Sequence, residues 1–463
     1  MKKKSRYILF LILLLALLLR LYHVTYPYLD HHSWRQTQTA MIARNFYRNG
    51  FNILKPEIDF LGGSKVVELE LQITPYLTAF LYLFFGIKDW VGRIIPIIFS
   101  LLSIVYLYNL IKLYYNSKLA LFVCFVYSIL PLNVFFSRVL MPESGMLFFS
   151  IAALYHYSIY LKKGGKKEFL FSIFFISLSF LSKLPNLYLL LPLLFVTWKK
   201  GFNFIFKKRI VVIFFISLLS TFLYYFYIHF TADFNIIPYT NLSNLWGNIN
   251  VLLDKSFYNV LFSRLASTVF TELGLFLLIL GLIYSKRNSF FVAWLFSVII
   301  YIFVLGSGNK IHSYYQLPLI PIGSYFIGIT LYYLYKSKYK LIVWPICALL
   351  LYLSVIHLLP MYNMYAYTAL EAGDKIKEID FEDSLIITVP HRIDMLPETL
   401  YYADRKGWKI RPYELNIQSI QSHKDQGAKY LIMLHPTYLD TDLKTYLYPK
   451  IVFSSNNYII ARI

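Results

Sequence analysis

The sequence predicts a polytopic α-helical membrane protein of about eleven transmembrane helices that ends in a small α/β domain. Three observations carry that prediction. Hydrophobic residues make up 58% of the 463 residues, against 15% charged. Apolar runs of about 17 or more residues recur along the chain, each long enough to cross a bilayer as a helix. The positive residues behind the formal charge of +21 gather in short links between those runs. A nucleic-acid partner needs a basic patch on a soluble face, so this distribution speaks for topology and against nucleic acid. Cys124 and Cys347 lie inside apolar runs and offer neither a disulfide framework nor a zinc spacing.

The expected spans are roughly 7–23, 92–113, 118–136, 145–161, 168–182, 184–198, 209–230, 267–285, 290–306, 314–335 and 340–360. The opening "MKKKSRYILFLILLLALLLRLYHV" has a basic start and an apolar core, but no small-residue cleavage site follows. It reads as an uncleaved first span. The run "ITPYLTAFLYLFFGI" at 73–87 is short and carries Pro75. If it does not cross, the links "KLYYNSK", "KKGGKK", "WKKGFNFIFKKR", "SKR" and "YKSKYK" all share the side of the "MKKK" start. The positive-inside rule makes that side cytoplasmic and leaves 73–87 at the outer interface. The break at Lys183-Leu184-Pro185 leaves open whether 168–198 is one broken span or two.

With that topology the loop 24–91, the turn at Arg138–Glu143, the loop 231–266, the stretch "GSGNKIHSYY" and the tail all emerge outside. Ser33 to Tyr47 lacks Pro and Gly and fits a surface amphipathic helix, with Asp30 just ahead of its N-terminus. In the tail, "DSLIITV" and "KYLIMLH" read as strands, "PETLYYADRKG" and "NIQSIQSHKDQG" as helices, and "KIVFSSNNYIIARI" as a closing hairpin. The expected division is a membrane domain at 1–360 and a soluble α/β domain at 361–463 on the outer face, in the plasma (inner) membrane with the N-terminus cytoplasmic.

Three segments, "DHHSWRQTQTAMIARNF", "SRVLMPES" and "HSYYQLPLIP", stand in one order along residues 7–335. Together they resemble the GT-C glycosyltransferases that use polyprenyl-phosphate sugars, above all the aminoarabinose-transferase and protein O-mannosyltransferase group. The resemblance implies a GT-C-like fold and inverting transfer of a sugar from a polyprenyl-phosphate donor to a lipid, glycan or protein acceptor. Asp30 matches the family's acid in the first outer loop. Many relatives carry Asp-Glu there, whereas this chain has Asp30-His31. Glu143 matches the acidic position of the second outer loop, and Lys310, His312, Tyr314 and Tyr315 match the motif that borders the donor site.

The chemistry suits these residue types. Breaking the C1–O bond to a lipid phosphate builds positive charge on the sugar, and the acceptor must lose a proton to a positioned carboxylate. Asp30 is the expected base, with Glu143 as the second catalytic acid. The leaving phosphate needs cations and fixed donors; Arg35, Arg138, Lys183 and Lys310 are the candidate cations, with His312, Tyr314 and Tyr315 as neutral donors or stacking surfaces. A plainer reading pairs Arg138 with Glu143 as an interfacial ion pair. His31 and His32 with Asp30 are weak candidates for a divalent metal. The rival functions are an oligosaccharide transferase or polymerase using lipid-pyrophosphate donors and a lipid or sugar transporter. A transporter commonly shows repeated halves and midplane polar sites, and no internal repeat is visible.

Overall fold

In the computed structural model the described residues are 3–235, 248–284, 289–364, 366–390, 397–436, 439 and 441–463. The first helices are α1 (Lys3–Leu21), α2 (Ser33–Arg48), α3 (Ile73–Phe85), α4 (Asp89–Tyr114), α5 (Ser117–Ile129), α6 (Pro131–Phe136), α7 (Glu143–Lys163), α8 (Lys166–Ser182), α9 (Leu190–Trp198) and α10 (Lys208–Thr231). The later apolar helices are Glu272–Tyr284, Ser289–Val304, Leu319–Lys336 and Val343–Leu358. Among the described residues four helices are long and apolar enough to cross a membrane. A fifth forms if Lys255–Val269 and Glu272–Ile283, bent by 101°, act as one.

Several of the other expected spans are shorter or broken. The run 118–136 divides into α5 and α6 at Leu130, because Pro131 has no N–H and drives the residue before it out of helical geometry. The run after Lys183 starts as a 3₁₀ turn over Leu184–Leu189 before α9 continues it. α3 has 13 residues, about 20 Å at the α-helical rise, and ends in the exposed Leu83, Phe84 and Phe85. Close helix contacts rest on small residues: a Cβ on Gly328 would meet the Val123 backbone at 2.9 Å.

The tail builds a five-stranded sheet from β3 (Leu385–Val389), β4 (Gly407–Lys409), β5 (Ala428–Leu434), β6 (Ile451–Ser454) and β7 (Tyr458–Arg462), in the order β4-β3-β5-β7-β6. β3 runs parallel to β4 and β5, and β7 runs antiparallel to β5 and β6. Strand alternation gives the sheet two apolar faces. Ile387, Leu431, Met433 and Ile459 pack with Ile420 and Leu443 of the tail's own helices. Ile386, Ile432 and Ile460 share a core with Ala40, Met41 and Phe46 of α2. So α2 is not a surface helix: residues 36–46 are buried, because the sheet that covers them arrives more than 300 residues later.

The first loop is also pinned from the sides. Its two-stranded ribbon, β1 (Glu57–Ile58) with β2 (Lys65–Val66), leads into an extended stretch along the ends of α8 and α10. There Glu68 N–H donates to Phe234 O (3.1 Å), Leu71 N–H to Leu181 O (3.0 Å) and the Tyr224 hydroxyl to Leu69 O (3.0 Å). Toward the tail, Arg44 bridges Asp59 (3.0 Å) and Asp404 (2.6 Å), and the Tyr402 hydroxyl accepts from Tyr28 N–H at 2.6 Å.

Candidate active site

The ends of α1, α6, α7 and α8 and the turn before Leu319 meet at one end of the bundle, beneath the first loop. The predicted polar residues assemble there in two groups.

The first group surrounds Asp30, whose side chain is fully buried. Its Oδ2 accepts from Arg138 Nη1 at 2.8 Å and lies 3.7 Å from Arg93 Nη2, and its Oδ1 accepts from Gln36 Nε2 at 2.6 Å. Arg138 spends its other Nη2 on His23 O (2.8 Å) and lies under the Tyr362 ring at 4.7 Å. Asp30 is not the cap of α2. That position belongs to His32, at φ 60°, with no side-chain cap bond. A left-handed histidine stores backbone strain of the kind that clusters at functional sites. Arg138 and Glu143 do not pair, which removes the simple interfacial ion pair: Asp30, 108 residues upstream, claims the arginine first.

The second group is richer. Lys183, the residue that ends α8, reaches Glu143 Oε1 at 2.5 Å, and its ammonium lies 4.5 Å from the Tyr314 ring centre and 5.0 Å from that of Tyr315. Arg35 meets Glu70 at 2.5 Å and feels the charge of Glu143. The His32 ring approaches His312 (5.4 Å) and Tyr314 (5.1 Å), and His312 stacks on Tyr314 at 5.0 Å. Among the described residues Glu143 Oε2 is buried without a hydrogen-bond partner, and so is His32 Nε2. A buried polar atom left unpaired is costly, so these two atoms mark where a ligand's donor or acceptor belongs. Lys310 stands apart, paired with Asp254 at 2.6 Å.

Two site residues escaped the sequence reading: Gln36 and Arg264. Glu70 could be read with Glu68 on one side of an extended "VVELELQ", as a solvated edge or near the acceptor, and it pairs with Arg35. Gln36 carries no local signal beyond polarity. Arg264 had one, since an isolated arginine on the side opposite the basic links is unusual. Its guanidinium donates to the carbonyls of Asn309 (2.8 Å) and Ile311 (3.2 Å). Among the described residues it has no ion pair, and it stands close enough to His31, His32 and His312 to depress all three.

Burial is the main cause of that depression, with the nearby cations adding to it: His31 is lowered, His32 well below its ordinary range, and His312 down to about 4. The imidazoles are therefore neutral near pH 7. Between about 4 and the ordinary 6.5 the unfolded chain takes up a proton at residue 312 that the folded chain refuses. Stability contributed at this position is thus lost as the pH falls through that window. Thermal melts at pH 7 and pH 5 are expected to show a drop in Tm that His312→Gln reduces; an unchanged drop in that variant removes residue 312 as its source.

Asp30, His31 and His32 do not converge as metal ligands. Asp30 is committed to Arg138 and Gln36, while His31 Nε2 faces Ser313 Oγ at 3.3 Å. Among the described residues no three metal-ligating side chains cluster.

Next to the second group opens an apolar cavity of about 490 Å³, lined by Pro185, Leu187, Leu191, Ile300, Tyr301 and Leu305 among others. Pro185 follows Lys183 by two residues, and Tyr301 lies within electrostatic reach of Glu143, Tyr314 and Tyr315.

This fold is known from membrane enzymes. ArnT from Cupriavidus metallidurans in the apo state matches with a TM-score of 0.65 at 12% identity, over 97% of this chain and 97% of that one. The oligosaccharyltransferase AglB from Archaeoglobus fulgidus, solved with an inhibitory peptide and a dolichol-phosphate, matches with a TM-score of 0.53 at 13% identity, over 96% of this chain and 71% of that one. The chain shares the fold of these two proteins over nearly its whole length. Residues 73–233, which carry Arg138, Glu143 and Lys183, match the family model described as dolichyl-phosphate-mannose-protein mannosyltransferase. The family match covers about a third of the chain, and the structural matches extend the shared fold over nearly all of it. No curated protein sequence matches it.

Proposed function

We propose that the protein moves one sugar from a polyprenyl-phosphate donor to a lipid, glycan or protein acceptor on the extracytoplasmic face of the plasma (inner) membrane. The observation that carries this reading is the junction between a cationic, aromatic cradle and an apolar groove. Such a junction suits a molecule with a phosphate head and a long hydrocarbon tail. Lys183, Arg35 and Arg264 face the leaving phosphate, with His312 and His32 as neutral donors. Tyr314 and Tyr315 offer ring faces to the sugar. The lipid tail lies along Leu187, Leu191, Ile300 and Leu305.

In the reaction the acceptor oxygen or nitrogen attacks C1 from the face opposite the phosphate. The C1–O bond breaks, its electron pair leaves with the phosphate, and the acceptor's proton passes to a carboxylate. One displacement inverts the anomeric centre. Asp30 is the base that resemblance favours, but both its oxygens are engaged by Gln36 and Arg138, and its side chain has no exposed surface. Among the described residues Glu143 Oε2 has no such partner. That difference favours Glu143 as the base and Asp30 as the residue that positions Arg138 and the first loop.

The test is transfer by purified, reconstituted protein offered a polyprenyl-phosphate sugar or a polyprenyl-pyrophosphate oligosaccharide. Consumption of the monophosphate donor with an inverted product is expected. Turnover of the pyrophosphate donor alone would replace the proposal with an oligosaccharide transferase, and movement of intact donor across the bilayer with a transporter. Arg264→Ala is expected to raise the KM for the donor by roughly ten- to hundred-fold, the size of a lost charged hydrogen bond. An unchanged KM would take Arg264 out of the phosphate cradle.

A further inference from the structure

A second cavity lies far from this site. It measures about 380 Å³ and is lined by Tyr160, Gly164, Phe204, Lys207, Lys208 and Arg209 among others. Tyr160 and Gly164 mark the end of α7 opposite Glu143. From Glu143 to Leu161, which also lines the cavity, is 18 residues of one continuous helix, or about 27 Å. That is close to the thickness of a bilayer's hydrocarbon core.

The charges here are not spent on protein carboxylates. The segment "WKKGFNFIFKKR" holds five cations and no acid. Among the described residues Lys207, Lys208 and Arg209 form no ion pair, and Lys207 lies 4.0 Å from the Phe204 ring centre. Beside them Trp198, Phe202 and Phe206 are 54%, 63% and 65% exposed. Large rings held in the open next to unpaired cations are the pattern of a surface seated at the headgroup level of a membrane. Cations that merely fix orientation need no cavity between helices; these line one.

We infer that this cavity is a second phosphate-binding site, for the headgroup of an anionic phospholipid, on the membrane face opposite the catalytic carboxylates. Lys207, Lys208 and Arg209 hold the phosphate, Tyr160 and Phe204 wall the headgroup, and the exposed rings lie against its acyl chains. The site is independent of the transfer reaction, so its failure and that of the proposed activity are separate results.

The experiment uses the full chain in detergent, with dioleoyl-phosphatidylglycerol, dioleoyl-phosphatidylcholine or inorganic phosphate, read by native mass spectrometry and thermal shift. The expected result is retention of phosphatidylglycerol at least five-fold above phosphatidylcholine, with a rise in Tm. The variant K207Q/K208Q/R209Q loses that retention about ten-fold, whereas K207R/K208R keeps it. The variant K336Q/K338Q/K340Q, which removes the same charge from another exposed link, also keeps it. Equal retention by K207Q/K208Q/R209Q overturns the site, and so does equal loss in K336Q/K338Q/K340Q. Stabilisation by inorganic phosphate as strong as that by phosphatidylglycerol overturns the lipid assignment.

Discussion

Glu143→Gln is expected to lower turnover by about 10²- to 10⁴-fold, the range a positioned general base supplies, with membrane insertion and donor KM close to those of the unmodified protein. Glutamine keeps the shape of the side chain and an acceptor for Lys183, which lies 2.5 Å from Glu143 Oε1. It removes the proton-accepting charge from Oε2, the buried atom with no partner among the described residues. The loss should fall on kcat, because a base acts on the acceptor's proton in the transition state and contributes little to holding the donor. Asp30→Asn is the necessary companion. If Glu143→Gln turns over normally while Asp30→Asn is dead yet folded, the proton goes to Asp30, and the closed arrangement around it must open during catalysis.

Arg138→Ala is expected to destabilise the protein by about 3–5 kcal/mol, the usual result of deleting one partner of a buried ion pair. The side chains of Arg138 and Asp30 have no exposed surface, so the deletion leaves a carboxylate in a dry site. Arg93, at 3.7 Å, offsets part of that loss, and Gln36 keeps its bond to Oδ1. Replacing both partners, as in D30N/R138Q, should cost less than Arg138→Ala alone, because no uncompensated charge stays behind. Melting of detergent-solubilised variants, with proteolysis of the tail as a second readout, measures both. A melt of Arg138→Ala equal to that of the unmodified protein would mean the pair contributes nothing to the first loop's order.

The residues that this sequence announced in advance are those whose signals are local. Apolar runs, the alternation in "DSLIITV" and the break at Lys183-Leu184-Pro185 each depend on near neighbours. Helices occupy the apolar runs, a strand forms at Leu385–Val389 and a 3₁₀ turn follows Lys183, while several of the eleven expected spans come out shorter or divided. Partnerships are another matter. Nothing near Arg138 in the chain says that it will choose Asp30, 108 residues away, over Glu143, five residues away. Nothing in "ELELQ" says that Glu70 will turn to Arg35 and Glu68 to His229. α2 read as a surface helix for the same reason: its polar residues look solvated until Asp59, Tyr401 and the sheet are brought against them. Arg264 shows the middle case, in which the charge was visible and its destination was not.

The dependence of the first loop on the tail also has a temporal side. His31 N–H donates to Met361 O, and Tyr28 N–H to the Tyr402 hydroxyl, so the segment holding Asp30 is fastened by residues made more than 300 positions after it. The segment around Asp30 therefore gains its order only once the chain that carries Met361 and Tyr402 has folded against it, however early its own residues are made.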